Sequence, residues 1–496
     1  MAATDSTTRA SGLAIRLAMA LLLAALALAG LWAIAHRGPW YDEFFALYVT
    51  SRPGSFATAL TRHWLADNHP PLYYALVDLT RWLGDQVEQR RLVNALIGAA
   101  ALAGGWAVAR AASPRFRLLA ALYLAGLAAQ PLLLLHVAEL RSYFLSLAAV
   151  GLLVLALVRA WLEPGQPGRG GRLALWLAAL AALNTHIATT LIAGAPLAAF
   201  TAIALLRRRR DFLRAILPPA LASALVFVAV TAIQLPHWEA NTRAFWIKPG
   251  LSAARWAIEN VLVACLAANP VLLAGGTLGA ALLLWRLLRR QRSPEADCLL
   301  ALGLGVAGAL AGVLAIHLVR PFVVDRYLVG LAPPIAMSLA LGLASLVRRR
   351  PVWSGLAVVA AVLAALFALH ANALMTAARP SWSGTAAQIA EEVRRCPGTV
   401  VHHDPLWNAP VAALPPAENR EVLPFAYTTM AARHQFTLEP VTSRRLAAEC
   451  PTLLWTEHAH APTEPELLAR LQATGFAVSR VTITRIGDGW IAALNP

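Results

Sequence analysis

Charge is what this sequence is short of. Asp, Glu, Lys and Arg make up 14% of the 496 residues, against about 25% in soluble chains. Hydrophobic residues make up 58% and the mean hydropathy is +0.59, which excludes a string of soluble domains and points to an integral membrane protein. Lysine is nearly missing, with Lys248 alone among 42 basic residues. Cysteine is limited to four residues, without a CxxC metal pattern. No P-loop or other nucleotide signature occurs. The formal charge of +16 would suggest nucleic acid in a soluble protein. Here the arginines cluster between apolar runs, at 207–210, 286–292 and 348–350, so the charge reads as membrane topology and nucleic acid is set aside.

What the sequence does have is long apolar runs, at 17–35, 92–109, 118–135, 142–158, 173–206, 215–235, 261–285, 298–319, 327–347 and 352–369. A crossing takes about 20 residues. The fifth run would be about 50 Å long as one helix, and Asn184, Thr185 and His186 interrupt it, so it reads as two spans with a tight outer turn. The expectation is eleven transmembrane helices. With the N-terminus in the cytoplasm, the arginine-rich connections 110–117, 159–172, 207–214, 286–297 and 348–351 all fall on the cytoplasmic side, as the positive-inside rule requires. Arg90 and Arg91 run against it, at the end of a long outer loop where the rule is weaker. The first run ends Ala33-Ile34-Ala35, resembling a signal cleavage site, but its 19-residue core reads as an uncleaved anchor.

Residues 1–378 therefore read as the membrane domain, with a first outer loop at 36–91 carrying interfacial helices. From 379 to 496 charge and short alternations return, and helices at 384–395 and 464–471 with strands at 399–403, 452–456 and 477–485 predict a small extracytoplasmic α/β domain. Cys396 and Cys450 fall in an oxidising compartment, suited to a disulfide closing that domain. Its His402, His403, Asp404, His458 and His460 match no zinc spacing, and acceptor recognition or shielding of the site is the better expectation for the domain.

Ionisable residues at a membrane boundary are costly and are candidates for a site. Asp42 and Glu43 follow the first span directly. About 100 degrees apart on a helix start, they suit one base and one orienting or capping group. Asp67 and His69 stand on an elbow stiffened by Pro70 and Pro71. Glu139, Arg141 and Tyr143 open the fourth span, with Glu139 and Tyr143 expected at i and i+4 on one helical face and Arg141 turned away. His186 lies at the outer turn, and Arg326 and Tyr327 precede the tenth span.

In this order, Asp42-Glu43, Asp67-x-His69-Pro70-Pro71-Leu72, Glu139-x-Arg141-x-Tyr143, His186 and Asp325-Arg326-Tyr327 resemble the bacterial branch of the protein O-mannosyltransferase and aminoarabinose transferase group. These are GT-C type glycosyltransferases that use polyprenyl-phosphate sugars. The resemblance implies a polytopic enzyme of the bacterial inner membrane. It implies Asp42, with Glu43, in the catalytic step, Asp42 being the general base on an acceptor hydroxyl. Asp67, His69, Glu139, Arg141, Tyr143, His186, Arg326 and Tyr327 are the expected donor phosphate and sugar contacts, with Lys248 a further outer cation. Aminoarabinose transferases have Glu-Lys-Pro where this chain has Asn68-His69-Pro70, so their metal-binding carboxylate and phosphate-binding lysine do not carry over. The cofactor is unknown, metal dependence stays open, and the motif lies closer to the mannosyltransferase side.

The implied partners are a polyprenyl-phosphate-linked sugar, membrane lipids and a glycan, lipid or protein acceptor, lipopolysaccharide among them. A transporter or flippase of lipid-linked sugars is the rival, although no internal repeat or matched pair of broken helices supports it. A non-catalytic scaffold is the third reading.

Overall fold

Short polar caps decide where the long helices begin. Ser113, Asn269 and Ser293 each stand before a proline and accept a hydrogen bond from the backbone N–H three residues on, of Phe116, Leu272 and Ala296. Proline in the first turn loses nothing there and presets φ. The computed structural model describes residues 2–51, 54–163, 168–241, 247, 249–403, 418–457 and 460–495.

Among the described residues nine helices are long and apolar enough to cross a membrane, and a pair, Pro114–Ala128 and Pro131–Val137, is so only when taken together, with a bend of 68° between its halves. Of the eleven expected spans, one falls on a short helix. Arg169–Asn184 has 16 residues, about 24 Å against a hydrocarbon layer of about 30 Å. The 173–206 run divides where the polar triplet stands, one helix ending at Asn184 and the next starting at Ile187. The 261–285 run, expected as one span, is also divided. Asn269-Pro270 ends the helix Leu251–Ala267 and starts Pro270–Leu288, because proline has no N–H to continue the ladder.

The helices pack closely where side chains are smallest. A Cβ on Gly279 would stand 1.9 Å from the carbonyl oxygen of Gly342, and one on Gly342 2.0 Å from that of Gly276, so Pro270–Leu288 and Ala332–Val347 meet backbone to backbone. Contacts tie the arginine-rich connections together at one end of the bundle: Ser113 N donates to Glu163 at 2.9 Å, Arg209 to the Trp161 carbonyl at 3.0 Å, Arg207 pairs with Asp297 at 2.8 Å, and Arg348 with Glu295. The loop after the first span, the start of Tyr143–Leu162 and the Asn184–Ile187 turn lie at the other end.

The C-terminal residues form a five-stranded sheet of β1 (Val400–His403), β2 (Glu439–Pro440), β3 (Thr452–Thr456), β4 (Arg480–Ile486) and β5 (Gly489–Asn495), in the order β2-β1-β3-β5-β4. β1 runs parallel to β2 and β3, while β5 is antiparallel to β3 and β4. Helices Trp382–Arg395 and Glu464–Ala473 stand where the sequence predicts them. The expected 477–485 strand begins three residues later, at Arg480, and runs to Ile486. β5 and the helix Asn419–Arg433 are additions. β5 lies inside the sheet and is buried almost throughout, so it lacks the alternation of a half-exposed strand, and Pro424 interrupts the helical reading of 419–433. Cys396 and Cys450 are bridged, their Cα atoms 5.7 Å apart.

The sheet does not stand apart from the first loop. Trp382, Ile389, Tyr427 and Trp455 share one apolar core with Tyr41, Phe44, Trp64 and Tyr73, so the loop 36–91 is packed between the bundle and the sheet.

Candidate active site

The first span ends at His36, and after Gly38-Pro39-Trp40 the helix Tyr41–Ser51 begins with two acids in its first turn, the end of a helix that favours negative charge. The structure separates the two. Glu43 is fully buried, and Arg91 holds both its oxygens, Nε to Oε1 at 2.7 Å and Nη2 to Oε2 at 2.6 Å. The N–H groups of Leu140 and Trp40 donate to the same carboxylate at 2.6 and 3.3 Å. Nothing of Glu43 is left for a substrate, and its place is in the scaffold. Asp42 keeps 23% of its side chain exposed, with Oδ2 at 3.5 Å from Arg326 Nη2. Its carbonyl accepts from Arg141 Nη1 at 3.3 Å.

The elbow brings Asp67, itself buried, to the same cluster through His69. Asp67 Oδ2 accepts from His69 Nδ1 at 3.1 Å and from the Tyr74 hydroxyl at 2.6 Å. Burial alone would raise its carboxyl, but His69, Tyr74 and Arg141 outweigh burial and hold it down at about 2. His69 turns Nε2 toward Arg141 Nη2, 3.5 Å away. Since arginine only donates, this pattern assigns the His69 proton to Nδ1. The elbow's backbone is pinned from another span: Gln234 Nε2 donates to the carbonyls of Trp64, Asp67 and His69 at 3.3, 3.0 and 3.0 Å, and Asn241 to that of Ala66 at 3.0 Å.

Glu139, Arg141 and Tyr143 do not share a helix face. The helix stops at Val137, the next begins at Tyr143, and the five residues between are irregular. Asn94 Nδ2 donates to the carbonyls of His136, Val137 and Glu139 at 3.3, 3.1 and 2.6 Å, replacing the ladder bonds that the break gives up. The break sends the two charges apart. Glu139 turns back to Arg37 Nη2 and His136 Nδ1, each at 2.7 Å. Burial opposes its charge, yet His136, Arg37 and Arg326 hold its carboxyl down at about 2. Arg141, expected to turn away, is the one that reaches Asp42, His69 and the Tyr143 ring, 5.9 Å from the ring centroid.

His186 caps the helix Ile187–Leu206, with Nδ1 accepting from Ala188 N at 3.2 Å, which leaves its proton on Nε2. Its ring lies 5.1 Å from His69, 4.5 Å from Tyr327 and 6.0 Å from Tyr143. Arg326 and Tyr327 stand in the tight turn Asp325–Leu331. Arg326 is held over the Trp40 and Tyr327 rings at 5.2 and 5.8 Å. Asp325, its sequence neighbour, accepts from the Arg326 backbone N–H at 2.7 Å.

Asp42, Asp67, His69, Arg141, Tyr143, His186, Arg326 and Tyr327 thus form one contact cluster. Glu43 and Glu139 lie behind it, and Lys248 lies outside the described residues. Sequence reasoning missed Arg37, Arg91, Asn94, His136 and Gln234. Of these only the boundary position of Arg37 and Arg91 gave a signal, a charge at a span end. Among the described residues no three His, Cys, Asp or Glu side chains converge as a metal site. In the sheet, His402 is wedged between the carbonyls of Pro440 and Arg445 at 3.2 and 2.6 Å, and His403 packs on Tyr427. Asp404 and His458 fall outside the described residues.

The cluster has the chemistry of an anion site. It gathers two guanidiniums, two phenols, two imidazoles and two carboxylates, and the arginines stay charged at any working pH.

No family model matches the chain, and no curated protein matches it in sequence. Its fold is similar to that of ArnT from Cupriavidus metallidurans. Structures of that protein in the apo state and bound to undecaprenyl phosphate each align with a TM-score of 0.52 and 14% identity, over 96% of this chain and 97% of that one. The likeness is one of fold, and it agrees with the expected polytopic helical membrane architecture with a small C-terminal sheet.

Proposed function

We propose that this protein is an inverting glycosyltransferase of the bacterial cytoplasmic membrane, moving one sugar from a polyprenyl-phosphate donor to a hydroxyl on an extracytoplasmic acceptor. The observation that carries the reading is the setting of Asp42, an accessible carboxylate 3.5 Å from Arg326 whose backbone carbonyl accepts from Arg141, in a fold similar to that of a protein solved with undecaprenyl phosphate bound. The arginine-rich connections face the cytoplasm in this reading, which puts the site and the sheet on the outer side.

Asp42 takes the proton of the acceptor hydroxyl as its oxygen attacks the anomeric carbon from the face opposite the lipid phosphate. The bond from that carbon to the phosphate oxygen breaks, its electron pair stays on the phosphate, and the centre inverts. A phosphodiester monoanion becomes a monoester with added negative charge, so fixed cations matter most at the leaving side. Arg141 and Arg326 supply them, and Tyr143, Tyr327 and the Nε2–H of His186 donate to phosphate or sugar oxygens. Asp67 orients His69, and through it Arg141. Glu43 and Glu139 hold the scaffold on which Asp42 and Arg141 stand.

The test is transfer from radiolabelled polyprenyl-phosphate sugars to membrane acceptors by purified protein, beside Asp42→Asn. Labelled product from the wild type, reduced by about two orders of magnitude or more in the variant, is expected of a lost base. Equal transfer by both would remove Asp42 from the mechanism. Movement of lipid-linked sugar across proteoliposomes without transfer would replace the reading with a transporter.

A further inference from the structure

The turn that delivers Asp42 is held from two sides. On the bundle side Arg91 donates to the carbonyls of Ile34, Arg37 and Gly38 at 3.2, 2.5 and 3.2 Å while clasping Glu43. On the outer side the contacts come from the start of the helix Trp382–Arg395. Trp382 N–H donates to the Pro39 carbonyl at 3.0 Å. The Trp382 ring, buried among Tyr427 and Trp455 at 4.9 and 6.1 Å, packs on Phe44 at 5.1 Å. Gly38 lies so close beneath that a Cβ there would stand 2.1 Å from Ser381 Oγ, 2.6 Å from Ser381 Cβ and 2.9 Å from Ser383 Oγ. Farther along the helix Tyr41–Ser51, Tyr48 packs on Phe425 at 5.3 Å and bonds Glu421.

We propose that the C-terminal sheet unit is the positioning wall of the site, with Trp382 and Ser381 fixing the Gly38–Pro39 turn and thereby the aim of the Asp42 carboxylate. This rests on the glycosyltransferase reading above and adds to it a task for the sheet. Three residues, Pro39, Trp40 and Tyr41, separate Gly38 from Asp42, and Pro39 has a fixed φ, so a shift at Gly38 passes directly to the first turn of Tyr41–Ser51. Arg91 keeps Glu43 in place whether or not the wall is present. Loosening the wall therefore disturbs Asp42 while the loop stays folded. Trp382 and Ser381 touch no reacting atom in this scheme and act only through the turn.

The contact between Gly38 and Ser381 supplies a test with a built-in rescue. Gly38→Ala inserts the methyl that meets Ser381, and adding Ser381→Gly removes most of what it meets, at a helix start where glycine is tolerated. Full-length protein is compared as wild type, Gly38→Ala, the double variant, Trp382→Ala and Trp382→Phe. The measurements are amide hydrogen exchange over residues 39–48, affinity for undecaprenyl phosphate, and transfer rate at saturating labelled donor. In Gly38→Ala and Trp382→Ala, exchange over that segment is expected to rise about tenfold. Transfer should fall about ten- to a hundredfold, the cost of misplacing a catalytic group by about 1 Å, with lipid affinity held within about twofold. The double variant and Trp382→Phe recover both. Protected amides of β3 and β5 report that the sheet is still folded. Unchanged exchange in Gly38→Ala would overturn the wall, and raised exchange with undiminished transfer would overturn its role in positioning. Absence of transfer by the wild type with every donor would overturn the reading it rests on, while the exchange arm would still decide whether the wall holds the turn.

Discussion

Arg91 and Glu43 form a two-bond ion pair with no exposed surface, 48 residues apart in sequence, and through it the helix that carries Asp42 is bolted to the second span. Removing one partner of such a pair leaves a buried charge unpaired, at about 3–5 kcal/mol. Glu43→Gln is expected to lower the melting temperature of the purified protein by several degrees, and Glu43→Gln with Arg91→Met to recover part of the loss. Thermal unfolding of the four proteins of the cycle checks this. Equal melting temperatures throughout would show the pair to be dispensable.

Arg141 and Arg326 are predicted to bind the donor's phosphate by geometry as much as by charge. Lysine keeps the charge but lacks the planar fork. Arg141→Lys and Arg326→Lys should each weaken undecaprenyl phosphate binding about tenfold, and the glutamine variants more, measured by native mass spectrometry on protein in detergent. Asp42→Asn should bind the lipid at least as well as the wild type, because it removes a negative charge 3.5 Å from Arg326.

Glu457 predicts a pH dependence outside the membrane. Burial pushes its carboxyl up to about 8, against hydrogen bonds from Thr385 and Trp455 that favour the charged form, and Asp488 adds to the rise. The folded state therefore keeps a proton that the unfolded chain releases near 4.5. The stability this contributes is present in full below about 4.5, is lost as pH rises toward about 8, and does not change further above that. The unfolding temperature of the sheet is expected to fall between pH 5 and 8 in the wild type, and to fall less in Glu457→Gln, whose amide is neutral throughout. Parallel curves for the two proteins would contradict it.

The Cys396 to Cys450 bridge spans a separation of 54 residues. Closing a loop of that size restricts the unfolded chain by an amount on the order of 4 kcal/mol. Paired Cys396→Ser and Cys450→Ser should lower the melting temperature of the sheet, and reductant should have no further effect on that variant. Circular dichroism in the two redox conditions distinguishes the outcomes.

The parts of the fold legible in sequence were those fixed by composition over long windows. The division at Asn184–His186 followed from a run too long for one crossing. The sidedness argument was internally consistent except at Arg90 and Arg91, and the structure explains why these two carry no topological information. Both are buried, one on the carbonyls of Gly84 and Val77 and the other on Glu43, so neither is a solvated loop charge. The break at 138–142 was not legible, because Ala-Glu-Leu-Arg-Ser is locally compatible with helix. What ends the helix there is Asn94, 45 residues upstream of Glu139. The exchange of roles between Glu139 and Arg141 follows from that break, and sequence spacing assigned their directions wrongly for the same reason. The eight residues that meet in one cluster do so from five separate segments, and their order along the chain was readable where their geometry was not.

Two side-chain amides do the same task around that cluster. Asn94 collects three carbonyls of the broken helix, and Gln234 collects three of the elbow. Each is a clip of a few atoms, mounted on a span that carries none of the eight clustered residues, and each sets the curvature of a loop that does. The site's outline is thus written at two positions where the chemistry leaves no mark. A chain that kept all eight clustered residues and exchanged these amides for leucine would retain the inventory of the site and lose its shape.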